Sequence, residues 1–145
     1  MENEEGVGLG LYVQIRFGHG DLYLCNFHGI SQPGDKLDNP ERLRQSEMLI
    51  EFFEGKDGPK IIGGDFNVFP ESKSIQMFLK NGYKNLIKEY NIATTRNRLA
   101  WGMYPDNKQY YYSDYVFVSP DIKINKFSVP DVEISDHLPL ILEIG

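Results

Sequence analysis

Carboxylate, imidazole and amide side chains are concentrated in four short segments of the sequence. These segments cover residues 26–29, 63–67, 113–119 and 135–137. Asp65, Asp114 and Asp136 offer the hard oxygen atoms that suit Mg²⁺ and Mn²⁺ better than zinc. His28 and His137 can donate hydrogen bonds to phosphoryl oxygens or move protons near neutral pH. Because a divalent cation cancels the repulsion between carboxylates and a phosphate, this set predicts metal-assisted hydrolysis of a phosphate ester.

Neutral and basic side chains extend this set. Asn67 can hold a water molecule or a phosphate oxygen without adding negative charge. Arg96 and Arg98 lie in an irregular segment and could reach a substrate phosphate. The alternative is that both arginines are ordinary surface residues.

Each segment also has a purely structural interpretation. Residues 63–67 can form a turn, and residues 135–137 can form an Asx-type turn. His28 can be a structural histidine, and Asp114, at the start of a strand, would usually be solvated. The order of the four segments along the chain therefore carries more weight than any one of them.

The elements that must position these side chains follow from hydrophobic periodicity and turn residues. Predicted strands cover residues 8–17, 21–27, 60–64, 112–119, 122–129 and 140–144. Predicted helices cover residues 40–54 and 70–81, with Gly82 past the end of the second and a further turn or two within 83–91. Residues 18–21 read as a turn, and 30–39 and 93–111 as loops. Strand ends that meet at one edge of a sheet would gather the polar segments. Strands, helices and then strands imply a mostly antiparallel α/β fold.

The helix over residues 40–54 has the clearest boundaries. Asn39 suits the N-cap, Pro40 suits the first helical position, and Gly55 ends the helix. Its apolar residues recur with roughly helical spacing, at Leu43, Leu49, Ile50, Phe52 and Phe53.

The composition is that of one globular domain. The 145 residues are 41% hydrophobic and 13% aromatic, which excludes disorder of the whole chain. With 15 basic and 21 acidic residues the net charge is −6, which disfavours a long nucleic acid as partner. Cys25 is the single cysteine, so an internal disulfide and a cysteine zinc site are excluded, and it is predicted to be buried in a strand.

The ends of the chain carry fewer signals. Residues 1–7 are predicted to form a flexible acidic tail without the apolar region of a secretory signal. No apolar run is long enough to span a membrane. The expected location is therefore cytoplasmic.

In this order and spacing, the four segments resemble those of the endonuclease/exonuclease/phosphatase superfamily. That superfamily includes DNase I-like nucleases, abasic-site endonucleases, sphingomyelinases and inositol-phosphate phosphatases. The resemblance runs from about Gly8 to Gly145. It implies one half of a DNase I-like α/β sandwich, with a mostly antiparallel sheet and helices on one face.

The resemblance also implies a role for each site residue. His28 matches the histidine that contacts the scissile phosphate. Asp65 and Asn67 match the pair that orients or activates the attacking water. Asp136 matches a metal-proximal aspartate, and its neighbour His137 matches the histidine that acts as base or stabilises the pentacovalent phosphorus. Asp114 resembles the carboxylate that orients this histidine. Asp65, Asn67 and Asp136 are thus expected around Mg²⁺ or Mn²⁺, in water attack on a phosphate ester.

The chain departs from the family in one respect. It resembles the C-terminal half only, and the metal-binding Asn and Glu of the other half have no counterpart, so a truncated domain with weak Mg²⁺ binding is expected. The sheet face that would meet the other half is left apolar and must be covered, by a second copy, by the rest of a longer polypeptide or by a rearranged element.

The sequence leaves function and substrate open. A weakly active or inactive phosphoesterase fragment is the favoured hypothesis, with a nucleic acid, nucleotide, lipid or inositol phosphate as substrate. A non-catalytic binding or assembly module is the alternative. If the family match is accidental, the site residues will not converge.

Overall fold

Seven strands and four helices are formed by residues 9–17, 20–104 and 109–145, which are the residues that the computed structural model describes. In chain order they are β1 (Leu9–Phe17), β2 (Gly20–His28), α1 (Pro40–Glu54), β3 (Lys60–Asp65), α2 (Lys73–Lys80), β4 (Lys84–Asn85), α3 (Leu86–Glu89), α4 (Arg98–Trp101), β5 (Asp114–Val118), β6 (Ile124–Ser128) and β7 (Ile141–Ile144). The predicted tail over 1–7, and residues 18 and 19 of the predicted turn, lie outside the described residues.

Five strands form one sheet in the order β1-β2-β3-β5-β4. Strand β2 pairs in parallel with β3, while the β1–β2, β3–β5 and β4–β5 pairs are antiparallel. The predicted mixed α/β fold with a mostly antiparallel sheet is therefore confirmed. The last predicted strand forms as β7, but it pairs with β6 in a separate two-stranded sheet.

Helices α1 and α2 pack on the same face of the five-stranded sheet. Tyr12 of β1 contacts Phe53 of α1 edge-to-face, and Phe117 of β5 stacks on Phe78 of α2 at 4.2 Å between ring centroids. The register joins Tyr12 to Cys25, Cys25 to Ile62 and Ile62 to Phe117. Residues paired across a sheet share a face, so the expectation of helices on one face is confirmed.

The opposite face of this sheet is called the site face below, because it also carries the polar residues described in the next subsection. On β1 the site face presents an apolar stripe of exposed side chains. The stripe consists of Leu9, Leu11, Val13 and Ile15.

Helix α1 begins and ends where the sequence predicts. The Asn39 side chain accepts a hydrogen bond from the backbone nitrogen of Arg42 at 2.8 Å, and Gly55 is the C-cap. Ile50 and Phe53 are buried, whereas Phe52 is exposed. The buried face also includes Arg42, whose charge the periodicity argument did not anticipate.

Three other local predictions need correction in detail. The second helix is shorter than predicted and begins at Lys73, after Ser72 as N-cap. Residues 83–91 contain the short strand β4 before the turn of helix α3, because Lys84 and Asn85 pair with β5. The predicted loop 93–111 includes the short helix α4, whose N-cap Asn97 accepts a hydrogen bond from Leu99. Among the described residues, no helix is long and apolar enough to cross a membrane.

Candidate active site

One row of paired residues runs across three neighbouring strands of the sheet. His28 of β2 pairs with Asp65 of β3, and Asp65 pairs with Asp114 of β5. Their side chains therefore lie on the site face, at one end of the sheet. The Nε2 atom of His28 lies 4.0 Å from Oδ2 of Asp65, and the His28 side chain is 68% exposed. His28 thus borders the carboxylates from the solvent side.

His137 reaches this row from the loop before β7. An isolated bridge joins His137 to Arg96, and the nitrogen of Leu138 donates to the carbonyl of Thr95 at 2.9 Å. The Nδ1 atom of His137 lies 3.0 and 2.9 Å from the two oxygens of Asp114. Its Nε2 atom lies 3.8 Å from Oδ2 of Asp65. The imidazole therefore lies between the two carboxylates.

The Asp114–His137 pair sets the charge state of the imidazole. The hydrogen bond that His137 donates to Asp114 raises the pKa of His137. Burial raises the pKa of Asp114, and its hydrogen bond with His137 acts in the opposite direction. Since ionised Asp114 can only accept, Nδ1 carries a proton and Nε2 is the atom left to face a substrate.

Asp136 lies beside the imidazole but pairs with a buried cation. Its Oδ2 atom lies 3.6 Å from Nε2 of His137 and accepts a hydrogen bond from Arg96 at 2.7 Å. Of the two arginines considered in the sequence, Arg96 is buried at the site. Arg98 instead pairs with the exposed Glu133, with 2.5 Å between Nε and Oε1.

Asn67 is buried just after β3 and has positive φ, at 54°. Its backbone nitrogen donates to Oδ1 of Asp65 at 2.9 Å. Its side chain donates to the carbonyl of Gly29 at 3.1 Å and accepts from Nζ of Lys36 at 2.9 Å. The amide is therefore fully oriented by neighbours within the chain.

Three residues that support the site were not predicted from the sequence. Lys36 is only 2% exposed, and its Nζ donates to Oγ of Ser113 as well as to Asn67. Ser113 in turn donates to Oδ1 of Asp65. Thr95 accepts from the backbone nitrogens of Ser113 and Asp114 at 3.1 and 3.2 Å. Lys36 stands in a loop of Gly, Pro and Asp, where no periodicity marks it as buried.

Burial also changes the acidity of Lys36. It lowers the pKa of the ammonium to about 8, even though the charges of Asp65 and Asp114 act in the opposite direction. The side chain is therefore largely protonated at neutral pH and contributes positive charge beneath the carboxylates.

The donor set fits a hard divalent cation. One ligand atom each from Asp65, Asp114 and His137 lies within 4.8 Å of the others. Asp114 already uses both oxygens on His137, which leaves Oδ2 of Asp65, and Asp136 beside the imidazole, as the carboxylate groups available to a cation. These are the carboxylate ligands that Mg²⁺ and Mn²⁺ prefer. Five of the predicted site residues thus lie in one cluster: His28, Asp65, Asp114, Asp136 and His137.

Solved structures with the same fold include several from this superfamily. An endonuclease/exonuclease/phosphatase family protein from Bacteroides thetaiotaomicron is 19% identical, with a TM-score of 0.71 over 99% of this chain and 57% of its own. The mannosyl-6-phosphatase of B. thetaiotaomicron VPI-5482 is 22% identical, with a TM-score of 0.59 over 87% of this chain and 52% of its own. The human Nocturnin catalytic domain with bound sulfate anion is 16% identical, with a TM-score of 0.64 over 98% of this chain and 53% of its own.

These likenesses concern the fold, and they support a phosphoesterase fold for this chain. The chain spans about half the length of each of these three structures. No curated protein matches the chain. The model of the Endonuclease/Exonuclease/phosphatase family, however, matches residues 6–137, which include all of the predicted site residues. By this match, the chain belongs to the endonuclease/exonuclease/phosphatase family.

Proposed function

We propose that this chain carries the phosphoryl-transfer site of a metal-dependent phosphoesterase. The observation that supports it most is the position of His137, whose Nδ1 is fixed by Asp114 while its Nε2 faces Oδ2 of both Asp65 and Asp136. An imidazole nitrogen that can donate or accept a proton, beside carboxylates that can hold a cation, suits water attack on a phosphate ester.

The chain's own residues would divide the chemistry as follows. Asp65, whose Oδ1 is held by Ser113 and by the nitrogen of Asn67, presents Oδ2 to orient the attacking water or take its proton. Protonated His137 donates from Nε2 to the phosphoryl oxygen on which charge develops. His28, at the exposed rim, contacts the phosphate from the other side.

Asp65 and Asp136 would hold the Mg²⁺ or Mn²⁺ ion. The ion would supply the Lewis acidity that stabilises charge on the phosphoryl oxygens. Asn67 accepts from Lys36, so we expect its main contribution to be the orientation of Asp65. Mg²⁺ gives up its water ligands reluctantly, and the family Glu has no counterpart in this chain, so we expect weak binding of the ion and low activity of the chain by itself.

We further propose that another unit covers the apolar stripe of β1. Exposed leucine, valine and isoleucine on a sheet face cost about 25 cal/mol per Å² of apolar surface. The missing half of a longer domain fits the half-length match to the solved structures, and a second copy is the other candidate. Light scattering identifies a dimer directly. A dilution-stable monomer that binds no apolar dye would contradict a covered face.

The catalytic proposal is tested by assay and by metal titration. Hydrolysis of bis(p-nitrophenyl) phosphate and p-nitrophenyl phosphate is measured with Mg²⁺ or Mn²⁺ for the wild type, Asp65→Ala and His137→Ala. Asp57→Asn, an exposed carboxylate before the other end of β3, is the matched control. We expect slow turnover that both site variants abolish and the control retains.

A second readout does not depend on turnover. Mn²⁺ should broaden the NMR signals of Asp65 and Asp136 in the wild type. In Asp65→Ala, the signal of Asp136 should stay sharp when Mn²⁺ is added. Site broadening without hydrolysis of either ester would favour the alternative, a non-catalytic module that retains the fold. If the wild type shows neither broadening nor turnover, the proposal of a metal-dependent site in this chain is refuted. The candidate substrates are nucleic acids, nucleotides, lipid phosphates and inositol phosphates.

A further inference from the structure

The buried ammonium of Lys36 joins the two strand ends that carry the site. Its Nζ donates at 2.9 Å to Oδ1 of Asn67, which follows β3, and at 2.9 Å to Oγ of Ser113, which precedes β5. The two partners are 31 and 77 residues away along the chain. Lys36 itself is only 2% exposed and makes no direct ion pair among the described residues.

An ammonium group can only donate hydrogen bonds, and this fixes the direction of every bond around it. Because Oγ of Ser113 accepts from Lys36, its single proton goes to Oδ1 of Asp65. Because Oδ1 of Asn67 also accepts from Lys36, its amide NH₂ points to the carbonyl of Gly29. The carbonyl of Gly29 and the carboxylate of Asp65 can only accept, so the ammonium supplies the donor at the other end of both hydrogen-bond chains.

These hydrogen bonds determine which oxygen of Asp65 remains free for chemistry. Its Oδ1 atom receives the Ser113 hydroxyl and the backbone nitrogen of Asn67. Its Oδ2 atom is left to face Nε2 of His28 and of His137, at 4.0 and 3.8 Å. Lys36 therefore acts on the reactive oxygen through Ser113 and Asn67 without touching it.

The loop that holds Lys36 is itself anchored to α1. Buried Arg42 donates to the carbonyl of Ile30 at 3.3 Å and of Ser31 at 3.1 Å, and to Asp35 at 3.0 Å. The backbone carbonyl of Lys36 accepts from Phe69 at 3.0 Å. Burying a charged group without a direct counter-ion is costly, and this scaffold keeps the ammonium in place despite that cost.

We propose that Lys36 is a positioning residue of the phosphoryl-transfer site, which sets the Asn67 amide and, through Ser113, leaves Oδ2 of Asp65 free to act. This inference rests on the proposed function of the same site. A lysine with only a structural role would stabilise the fold but would not control the orientation of the Asp65 carboxylate.

The test compares two variants with a matched control. Lys36→Met keeps the length of the side chain but removes its charge, and Lys36→Ala leaves a cavity for a small amine. Lys80→Met, an exposed lysine at the end of α2, is the control. The first readout is the side-chain amide signal of Asn67 in ¹⁵N NMR spectra. We expect it to shift in both Lys36 variants and stay unchanged in the control.

Rescue separates charge from packing. Propylammonium added to Lys36→Ala should restore the wild-type Asn67 signal, whereas 1-propanol at the same concentration should not. If the alcohol rescues equally, or if Lys36→Met leaves the Asn67 signal unchanged, the positioning role is refuted.

The second readout is the Mn²⁺ dissociation constant. Loss of the ammonium charge alone would lower this constant by removing repulsion, whereas loss of a group that orients metal ligands typically costs about tenfold or more in affinity. The positioning role therefore predicts a net increase of the constant in Lys36→Met. An unchanged or lowered constant contradicts the proposal. If the wild type itself binds no Mn²⁺ and hydrolyses no ester, the proposed function fails, but the Asn67 signals and the rescue still decide the role of Lys36.

Discussion

Replacement of Gly64 by alanine should cost far more stability than the same replacement at Gly63. Both glycines lie in β3 just before Asp65. A Cβ atom on Gly64 would lie 2.0 Å from the carbonyl oxygen of Phe27 on β2, and the φ of this residue is +130°. A Cβ atom on Gly63 would lie 3.4 Å from its nearest neighbour, the carbonyl oxygen of Tyr115, at ordinary contact distance.

The magnitude has two parts. Holding a non-glycine residue at so unusual a φ costs about 1–3 kcal/mol. Relieving the clash requires β2 to move away from β3, which weakens about two ladder hydrogen bonds at about 0.5–1.5 kcal/mol each. Gly64→Ala should therefore lose about 2–6 kcal/mol, a large part of the about 5–15 kcal/mol typical of a domain. Gly63→Ala should stay within about 1 kcal/mol of the wild type.

Urea unfolding followed by circular dichroism measures both variants under the same conditions. We expect the midpoint of Gly64→Ala to fall well below that of the wild type, or the variant to be unfolded without urea. Equal midpoints for the two variants would show that the β2–β3 spacing tolerates a side chain. The account of how His28 and Asp65 are brought side by side would then be wrong.

Three further substitutions test separate contacts. Asp114→Asn removes the charge that raises the pKa of His137, so an NMR titration of this imidazole should give a lower pKa than in the wild type. In the wild type, the raised pKa of His137 stabilises the fold fully below the unfolded pKa of about 6.5, and this stabilisation is lost as pH rises through the folded pKa. The urea midpoint should therefore fall between acid and alkaline pH. This fall should be smaller in Asp114→Asn. Arg42→Met leaves the carbonyls of Ile30, Ser31 and Leu37 without this donor and should cost about 1–3 kcal/mol in urea unfolding for each carbonyl that stays buried and unpaired, while the exposed control Arg44→Met should change stability by less than about 1 kcal/mol. Tyr115→Phe removes the hydroxyl that donates at 2.8 Å to a buried carbonyl and should cost about 1–3 kcal/mol in the same assay; a value near zero would indicate that this carbonyl finds another donor.

Local signals in the sequence were sufficient for most of the fold. Asn39, Pro40 and Gly55 fix the ends of α1 because caps depend on the residues next to them. Helical spacing was less reliable for burial, since Phe52 is exposed and Arg42 is buried. Periodicity reports which side chains are apolar, and it cannot report that a guanidinium is buried by bonds to loop carbonyls.

The site was predicted as a set of strand ends, and the structure brings most of that set together. The row of His28, Asp65 and Asp114 follows from register, because the side chains of paired residues lie on one face. His137 could not be placed from the sequence in the same way, since β7, the strand after it, belongs to the separate two-stranded sheet. Its place at the row depends on contacts of the loop before β7 with Thr95 and Arg96 and on its hydrogen bond to Asp114.

The buried cations give a second reason to expect weak metal binding, and this reason is not visible in the sequence. Asp65, Asp114 and Asp136 contribute three negative charges, but Arg96 bonds to Asp136 and the ammonium of Lys36 lies one hydroxyl away from Asp65. Interactions between charges at such distances in a buried site are strong. A divalent cation must therefore share Asp136 with a guanidinium and approach Asp65 against the field of an ammonium. The missing Glu ligand only reduces the attraction between the site and a divalent cation, whereas Arg96 and Lys36 repel that cation. Both effects act on the binding of the cation to Asp65 and Asp136.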